Sequence, residues 1–150
     1  MFKNILCPVD MNPRSKMALK KAIAIAHQFD SRITLLSIHE EFMSKKQMIM
    51  SRVSVSDLGD EFKKIATEAK EEMKFLVKEL EAEDIKCEYI LRDGKPSEII
   101  LQLSEDINAD LIVMGTNGKD SLSDYILGST AQNVIQQSEC PVLVMPKGKS

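Results

Sequence analysis

Residues 111–118 read LIVMGTNG and residues 128–131 read GSTA, and these two stretches decide the fold and the candidate site. The range Leu111–Met114 is entirely apolar, which is typical of a strand buried on both faces. Glycines follow at positions 115 and 118, and nine residues then separate Gly118 from Gly128. Apolar residues at helical spacing predict a helix over residues 128–138. The sequence therefore predicts a strand, a glycine-rich loop and a helix in succession.

This stretch has the chemistry of a phosphate-binding loop. Glycine has no Cβ, so a phosphate can approach the backbone closely. A helix start offers unpaired N–H groups and the positive end of its dipole to an anion. Ser129 and Thr130 add hydroxyl donors, and Lys119 can add a positive charge. The stretch is not a Walker loop, because it contains no GK[ST], and no dinucleotide fingerprint follows the first predicted strand.

Each half of the pattern also has an ordinary explanation. Gly115 and Gly118 after a strand are compatible with a simple turn, and Gly128-Ser129 is compatible with helix capping. A strand, a GxxG, nine residues and a Gly-Ser at a helix start are more specific together than either half alone. The combination predicts phosphate binding.

Strand and helix patterns alternate along the whole chain. Strands are predicted over residues 5–9, 33–38, 85–91, 111–114 and 141–146. Helices are predicted to begin at the cap Ser15, at Asp57, at Pro96 and at Gly128. Residues 41–56 have no period and are predicted to form a loop, with a partly helical segment as the alternative. Repeated strand–helix units favour a parallel sheet with helices on both faces, here in one α/β domain over residues 1–150. Ligands of such sheets bind at the carboxyl ends of the strands.

The first predicted strand adds Pro8-Val9-Asp10 to that edge of the sheet. The Asp10 carboxylate can accept hydrogen bonds from ribose hydroxyl groups or hold a metal ion. Pro8 and Val9 can form an apolar wall for a base. The alternative for Asp10 is a helix-capping or turn role.

Composition and charge exclude several classes of protein. The chain has 150 residues and a net charge of -3 with scattered basic residues, so we expect no nucleic-acid partner. It begins with no signal-peptide pattern and has no apolar run long enough to span a membrane, which predicts a cytoplasmic protein. The three cysteines have no CxxC spacing and are interpreted as reduced core residues rather than redox or metal sites.

The sequence shows no catalytic constellation. His27 lies on the first predicted helix and is interpreted as structural, whereas His39 follows the second strand and is either a general base or a loop residue. No Cys/His pair, carboxylate pair or metal-ligand cluster stands out. The sequence therefore predicts binding rather than dedicated turnover, with slow nucleotide hydrolysis as the alternative.

Four blocks of the chain, in order, resemble the universal stress protein family. They are ILCPVD at residues 5–10, DLIVMG at residues 110–115, the Gly115-x2-Gly118-x9-Gly128-Ser129 spacing, and CPVLV at residues 140–144. The third is similar to the signature of the nucleotide-binding branch, and nearly the whole chain is covered. The family implies a Rossmann-like α/β fold, similar to the adenine nucleotide alpha hydrolases, with five parallel strands in the order 3-2-1-4-5.

The resemblance also implies a function and a site. It implies a dimeric, ATP-binding regulatory or stress-response protein; a nucleotide-free interaction module is the other alternative. The nucleotide, with or without Mg²⁺ or Mn²⁺, is expected to lie across the strand ends. The expected binding residues are Pro8, Val9, Asp10, Ile38, Met114, Gly115, Gly118, Lys119, Gly128, Ser129, Thr130 and Ala131. Family members often carry Gly-Ser directly after the aspartate, whereas this chain has Met11-Asn12. This departure puts the conformation of the loop beside the nucleotide in doubt and leaves Asp10 in place.

Two edge strands follow from the implied strand order. Residues 85–91 alternate between apolar and polar, which is typical of an edge strand. Residues 142–145 are apolar on both faces, and an uncovered apolar edge favours association. The sequence therefore predicts a homodimer formed through Val142, Leu143 and Val144 of two symmetric copies.

Overall fold

The computed structural model of the chain describes residues 1–10, 13–39, 55–116 and 127–146. Its elements are β1 (Asn4–Pro8), α1 (Pro13–Phe29), β2 (Arg32–His39), α2 (Val55–Glu79), β3 (Cys87–Asp93), α3 (Pro96–Asp106), β4 (Leu111–Gly115), α4 (Ser129–Gln137) and β5 (Val142–Met145). Gly118, Lys119, the Met11-Asn12 departure and most of the predicted loop lie outside the described residues.

The five strands form one parallel sheet in the order β3-β2-β1-β4-β5, which confirms the predicted topology. β1 lies at the centre, where Ile5 is in register with Ile33 of β2 and with Leu111 of β4. β3 and β5 are the two edges, as the sequence predicts. The carboxyl ends of β2, β1 and β4 are therefore neighbours at one edge of the sheet.

Each face of the sheet is covered by helices. On one face, α1 and α2 pack against a core that includes Ile5, Leu19 and Met73. On the other face, α3 and α4 pack against a core that includes Leu6 and Ile112. Alternate residues of each buried strand enter the two cores, which explains why the runs of β1 and β4 are apolar without interruption.

The helix starts differ from the predictions at three places, of which the smallest is α4, which begins at Ser129 with Gly128 as its N-cap. α1 begins at Pro13, so the prediction that Ser15 caps this helix is wrong. Proline suits the first turn because its missing N–H would have no helical partner there. The Ser15 hydroxyl instead contacts Asp10. α2 begins at Val55, two residues before the predicted start at Asp57. α3 begins at Pro96, as predicted.

All three cysteines are free. Cys7 is fully buried, and Cys87 and Cys140 are partly buried, as expected for reduced residues in and beside a core. Among the residues that the structure describes, no helix has the length and apolarity needed to cross a membrane.

Burial makes the Cys7 thiol a source of alkaline instability. Burial, with a smaller contribution from Cys87, raises the pKa of Cys7 from 9.0 to about 12. Between these values the unfolded chain loses a proton that the folded chain keeps, so folding stability falls as the pH rises. From pH 8 to pH 10.5 the free energy of unfolding of the wild type should fall by about 2 kcal/mol more than that of Cys7→Ala. Urea unfolding at both pH values measures this difference, and parallel losses in the two proteins would contradict it.

Candidate functional site

The ladder between β1 and β2 ends below the tip of β2. The last register pair is Pro8 with Leu36, and the Val9 N–H donates to the Leu36 carbonyl at 2.8 Å. β2 continues for three more residues, to His39. Backbone groups alternate in direction along a strand, so the N–H and C=O of Ile38 point to the same side as those of Leu36. Ile38 therefore presents a main-chain donor and acceptor above the end of β1.

Asp10 lies at the carboxyl end of β1 and contacts the first turn of α1. The Ser15 hydroxyl donates to Asp10 Oδ1 at 2.6 Å, and the Asp10 N–H donates to Ser15 Oγ at 3.1 Å. Asp10 therefore has a structural role, which the sequence left open: it is hydrogen-bonded to the first turn of α1. The contact also fixes the carboxylate at the strand end, beside the predicted site.

The start of α4 is joined directly to the end of β4. The Gly128 N–H donates to the Thr116 carbonyl at 2.9 Å, and the Thr116 N–H donates to the Met145 carbonyl at 3.2 Å. Gly128 is the N-cap of α4 and supplies no side-chain capping bond. The first helical bond runs from the Gln132 N–H to the Gly128 carbonyl. The N–H groups of residues 129–131 therefore precede the helical ladder, and a helix start of this kind can bind an anion.

Two buried polar atoms at this edge have no hydrogen-bond partner among the described residues. They are Thr116 Oγ1, one residue past β4, and His39 Nδ1, at the end of β2. Buried polar atoms in native proteins are nearly always hydrogen-bonded, and a ligand at the start of α4 is one way to satisfy the Thr116 hydroxyl. Thr116 is not among the predicted binding residues, although a hydroxyl residue directly after Gly115 is a visible signal in the sequence.

Apolar side chains form the wall behind these polar groups. Met114 and Ala131 are buried, and Ile38 packs against the same core. The Ala131 methyl group belongs to that core, so only its backbone N–H can face a ligand. Val9 is also buried, on the opposite face of the sheet. The predicted residues that the structure describes all lie along this edge, and Gly118 and Lys119 fall outside the described residues.

The described residues show no second chemical centre at this edge. No group of three or more His, Cys, Asp or Glu side chains that could hold a metal occurs in the described ranges. His27 lies near the amino ends of the strands, at the opposite side of the sheet from the candidate site. Its Nε2 is 3.0 Å from Asp84 Oδ2, and both side chains border a polar groove of about 570 Å³. His39 has the parity of Leu35, so its side chain lies on the face opposite Ile38.

The chain matches one known protein family over nearly its whole length. The model of the universal stress protein family matches residues 1–146. The chain belongs to the universal stress protein family. Its curated relatives include universal stress protein MJ0577 of Methanocaldococcus jannaschii, which is 36% identical over 100% of this chain and 98% of that protein.

Solved structures of universal stress proteins share the fold. The structure of MJ0577 has a TM-score of 0.80 at 33% identity and covers 100% of this chain and 99% of that one. A universal stress protein from Archaeoglobus fulgidus, solved in complex with dAMP, has a TM-score of 0.63 at 19% identity, with 97% and 98% of the chains covered. A universal stress protein that was solved in complex with cAMP has a TM-score of 0.64 at 19% identity, with 98% of each chain covered.

Proposed function

We propose that this universal stress protein binds an adenine nucleotide, ATP in the first place, at the carboxyl edge of its sheet. The observation that carries the proposal is the start of α4, where Gly128 leaves the first helical N–H groups without a side-chain cap beside the buried Thr116 hydroxyl. The nucleotide would act as a state signal that shifts a conformation or a partner surface. The expected place of action, the cytoplasm, rests on the sequence alone.

The start of α4 suits the phosphates. Backbone N–H groups at a helix start and the positive end of the helix dipole together favour an anion. The Thr116 hydroxyl can donate to the same anion, and its position is fixed because its backbone bonds both Gly128 and Met145. Ser129 is exposed and Thr130 is partly exposed at the first turn, and their hydroxyl groups can add donors. Mg²⁺ or Mn²⁺ would accompany the nucleotide through the phosphate oxygens.

The end of β2 suits the base. Adenine presents its N6 amino group as a donor next to its N1 acceptor, and the C=O and N–H of Ile38 are the matching pair. Met114 and Ile38 offer an apolar surface for the ring. Asp10, at the carboxyl end of β1, would accept hydrogen bonds from ribose hydroxyl groups. The complexes of related proteins with dAMP and with cAMP support an adenine nucleotide as the class of ligand.

Calorimetry with ATP tests this proposal. We expect saturable binding of one nucleotide per chain with a Kd below about 1 mM. That bound is chosen because the KM values of enzymes for their substrates extend up to roughly this concentration. The absence of binding at millimolar ATP would contradict it and would favour a nucleotide-free interaction module. Steady phosphate release well above that of a Gly118→Ala control would instead favour the hydrolase alternative.

We also propose that two copies pair through β5. The carbonyls of Pro141 and Met145 face β4, since they accept the N–H groups of Ile112 and Thr116. By alternation, the N–H and C=O groups of Val142 and Val144 face away from β4, on the outer edge. All four β5 side chains are only partly buried in one copy. A second β5 would bond the outward groups and cover the apolar edge.

Val144→Pro tests the dimer at a single backbone group. Proline removes the outward N–H of Val144 but leaves the bonds to β4, because those use the alternate residues. We expect light scattering at micromolar concentration to give a dimer for the wild type and a monomer for Val144→Pro. Val144→Ile keeps the N–H and should remain a dimer. A wild-type monomer would contradict the proposal, and so would a dimeric Val144→Pro.

A further inference from the structure

Arg92 lies next to the proposed base-binding residue on the neighbouring strand. Ile38 of β2 is in register with Arg92 of β3. Residues in register on parallel strands project to the same face of the sheet, and Ile38 belongs to the face that also holds Met114 and the start of α4. The Arg92 side chain therefore borders the base end of the site, on the side away from the phosphates.

The guanidinium of Arg92 is available to a ligand. The side chain is exposed, and its Nη1 donates to the Leu91 carbonyl at 3.3 Å. Among the described residues, the salt bridges pair other cations, and Arg92 has no carboxylate within ion-pair distance. Asp93 follows Arg92 along β3, so it projects to the opposite face. A planar cation that pairs with no carboxylate of the described residues thus lies beside the place proposed for adenine.

We propose that Arg92 stacks its guanidinium on the face of the nucleotide base. This inference rests on the proposed function and adds a base-recognising residue to it. Arginine is planar and weakly hydrated, so it stacks on aromatic faces better than the compact ammonium of lysine. A purine offers a larger face than a pyrimidine, so the contact favours purine nucleotides. The contact acts on the base and is independent of the phosphate chain.

The affinities of three probes test the role of Arg92. The affinities of ATP, adenosine and tripolyphosphate are measured by their displacement of a bound fluorescent ATP analogue from the wild type and from each variant. We expect Arg92→Ala to bind both ATP and adenosine about 3- to 30-fold more weakly, with tripolyphosphate unchanged. Arg92→Lys should recover only part of the loss. Arg32→Ala, which removes an exposed guanidinium 4.0 Å from Glu88 at the opposite edge, is the matched control and should match the wild type.

The outcomes separate this inference from the proposed function. Unchanged ATP binding by Arg92→Ala, with a wild type that binds ATP, overturns the role of Arg92 alone. A loss for tripolyphosphate equal to that for ATP, with adenosine unaffected, also overturns it, because Arg92 would then contact phosphate. A wild type that binds none of the probes overturns the proposed function and this inference with it.

Discussion

Gly128→Asp is expected to weaken ATP binding by about 100-fold or more while leaving the fold intact. The backbone at Gly128 has φ -63° and ψ 157°, which a residue with a side chain adopts without strain. Aspartate is a preferred N-cap, so its carboxylate would bond the N–H groups proposed for the phosphates and would also repel them. Losing two hydrogen bonds to a charged group costs about 3 kcal/mol or more, which corresponds to about 100-fold in Kd.

Two controls separate capping from charge. Gly128→Asn caps the same N–H groups without a charge, so its loss of affinity should be smaller, about tenfold. The free energy of unfolding of both variants should stay within about 0.5 kcal/mol of the wild type or rise slightly, because Asn and Asp are better caps than Gly. Calorimetry with ATP and urea unfolding measure the two quantities. Wild-type ATP affinity in Gly128→Asp would contradict the phosphate site.

Leu6→Ala is expected to lower the free energy of unfolding by about 3–4 kcal/mol, which is a large share of the stability of an ordinary domain. Leu6 is fully buried in β1, the central strand, and packs in the core beneath α3 and α4. Truncation removes its transfer free energy and leaves a cavity that a central strand cannot close. The same strand supports Pro8 and Asp10 at the proposed site.

Phe75→Ala is the matched control for this loss. Phe75 is 67% exposed on α2, so removing its ring takes away a larger side chain without opening a cavity. Its effect should stay within about 0.5 kcal/mol. Urea unfolding of the three proteins at one concentration makes the comparison. Similar values for the two variants would contradict the central, buried position of β1.

Most of the fold could be predicted from the sequence because the apolar patterns are strong. The runs of β1 and β4 are apolar without interruption, and both strands are buried on two faces. The alternation before Leu91 predicted an edge, and β3 is one. Local chemistry was less predictive. Ser15 is a good capping residue, but Pro13 begins the helix and the Ser15 hydroxyl bonds Asp10. Ile135 follows the apolar pattern of α4 but is 45% exposed.

The parts of the candidate site that depend on the type of side chain could be predicted from the sequence. Glycines and hydroxyl residues indicated the start of α4. Gly128 is the N-cap residue there, and no side chain makes a capping hydrogen bond. The Ile38 main chain could not be found in this way, because its open direction depends on where β1 ends. Arg92 could not be found either, since only the register between β2 and β3 brings it beside Ile38. Backbone direction and strand register are three-dimensional properties that composition does not encode.

The most direct test of the central claim is a titration of the ¹⁵N-labelled protein with ATP, followed through its backbone amide signals. We expect the largest saturable shifts at Ser129, Thr130 and Ala131, with a second set at Ile38. Small shifts are expected at Lys3 and Arg32, which border the polar groove at the opposite edge. Unshifted α4 signals at millimolar ATP, or shifts concentrated at Lys3 and Arg32, would contradict it.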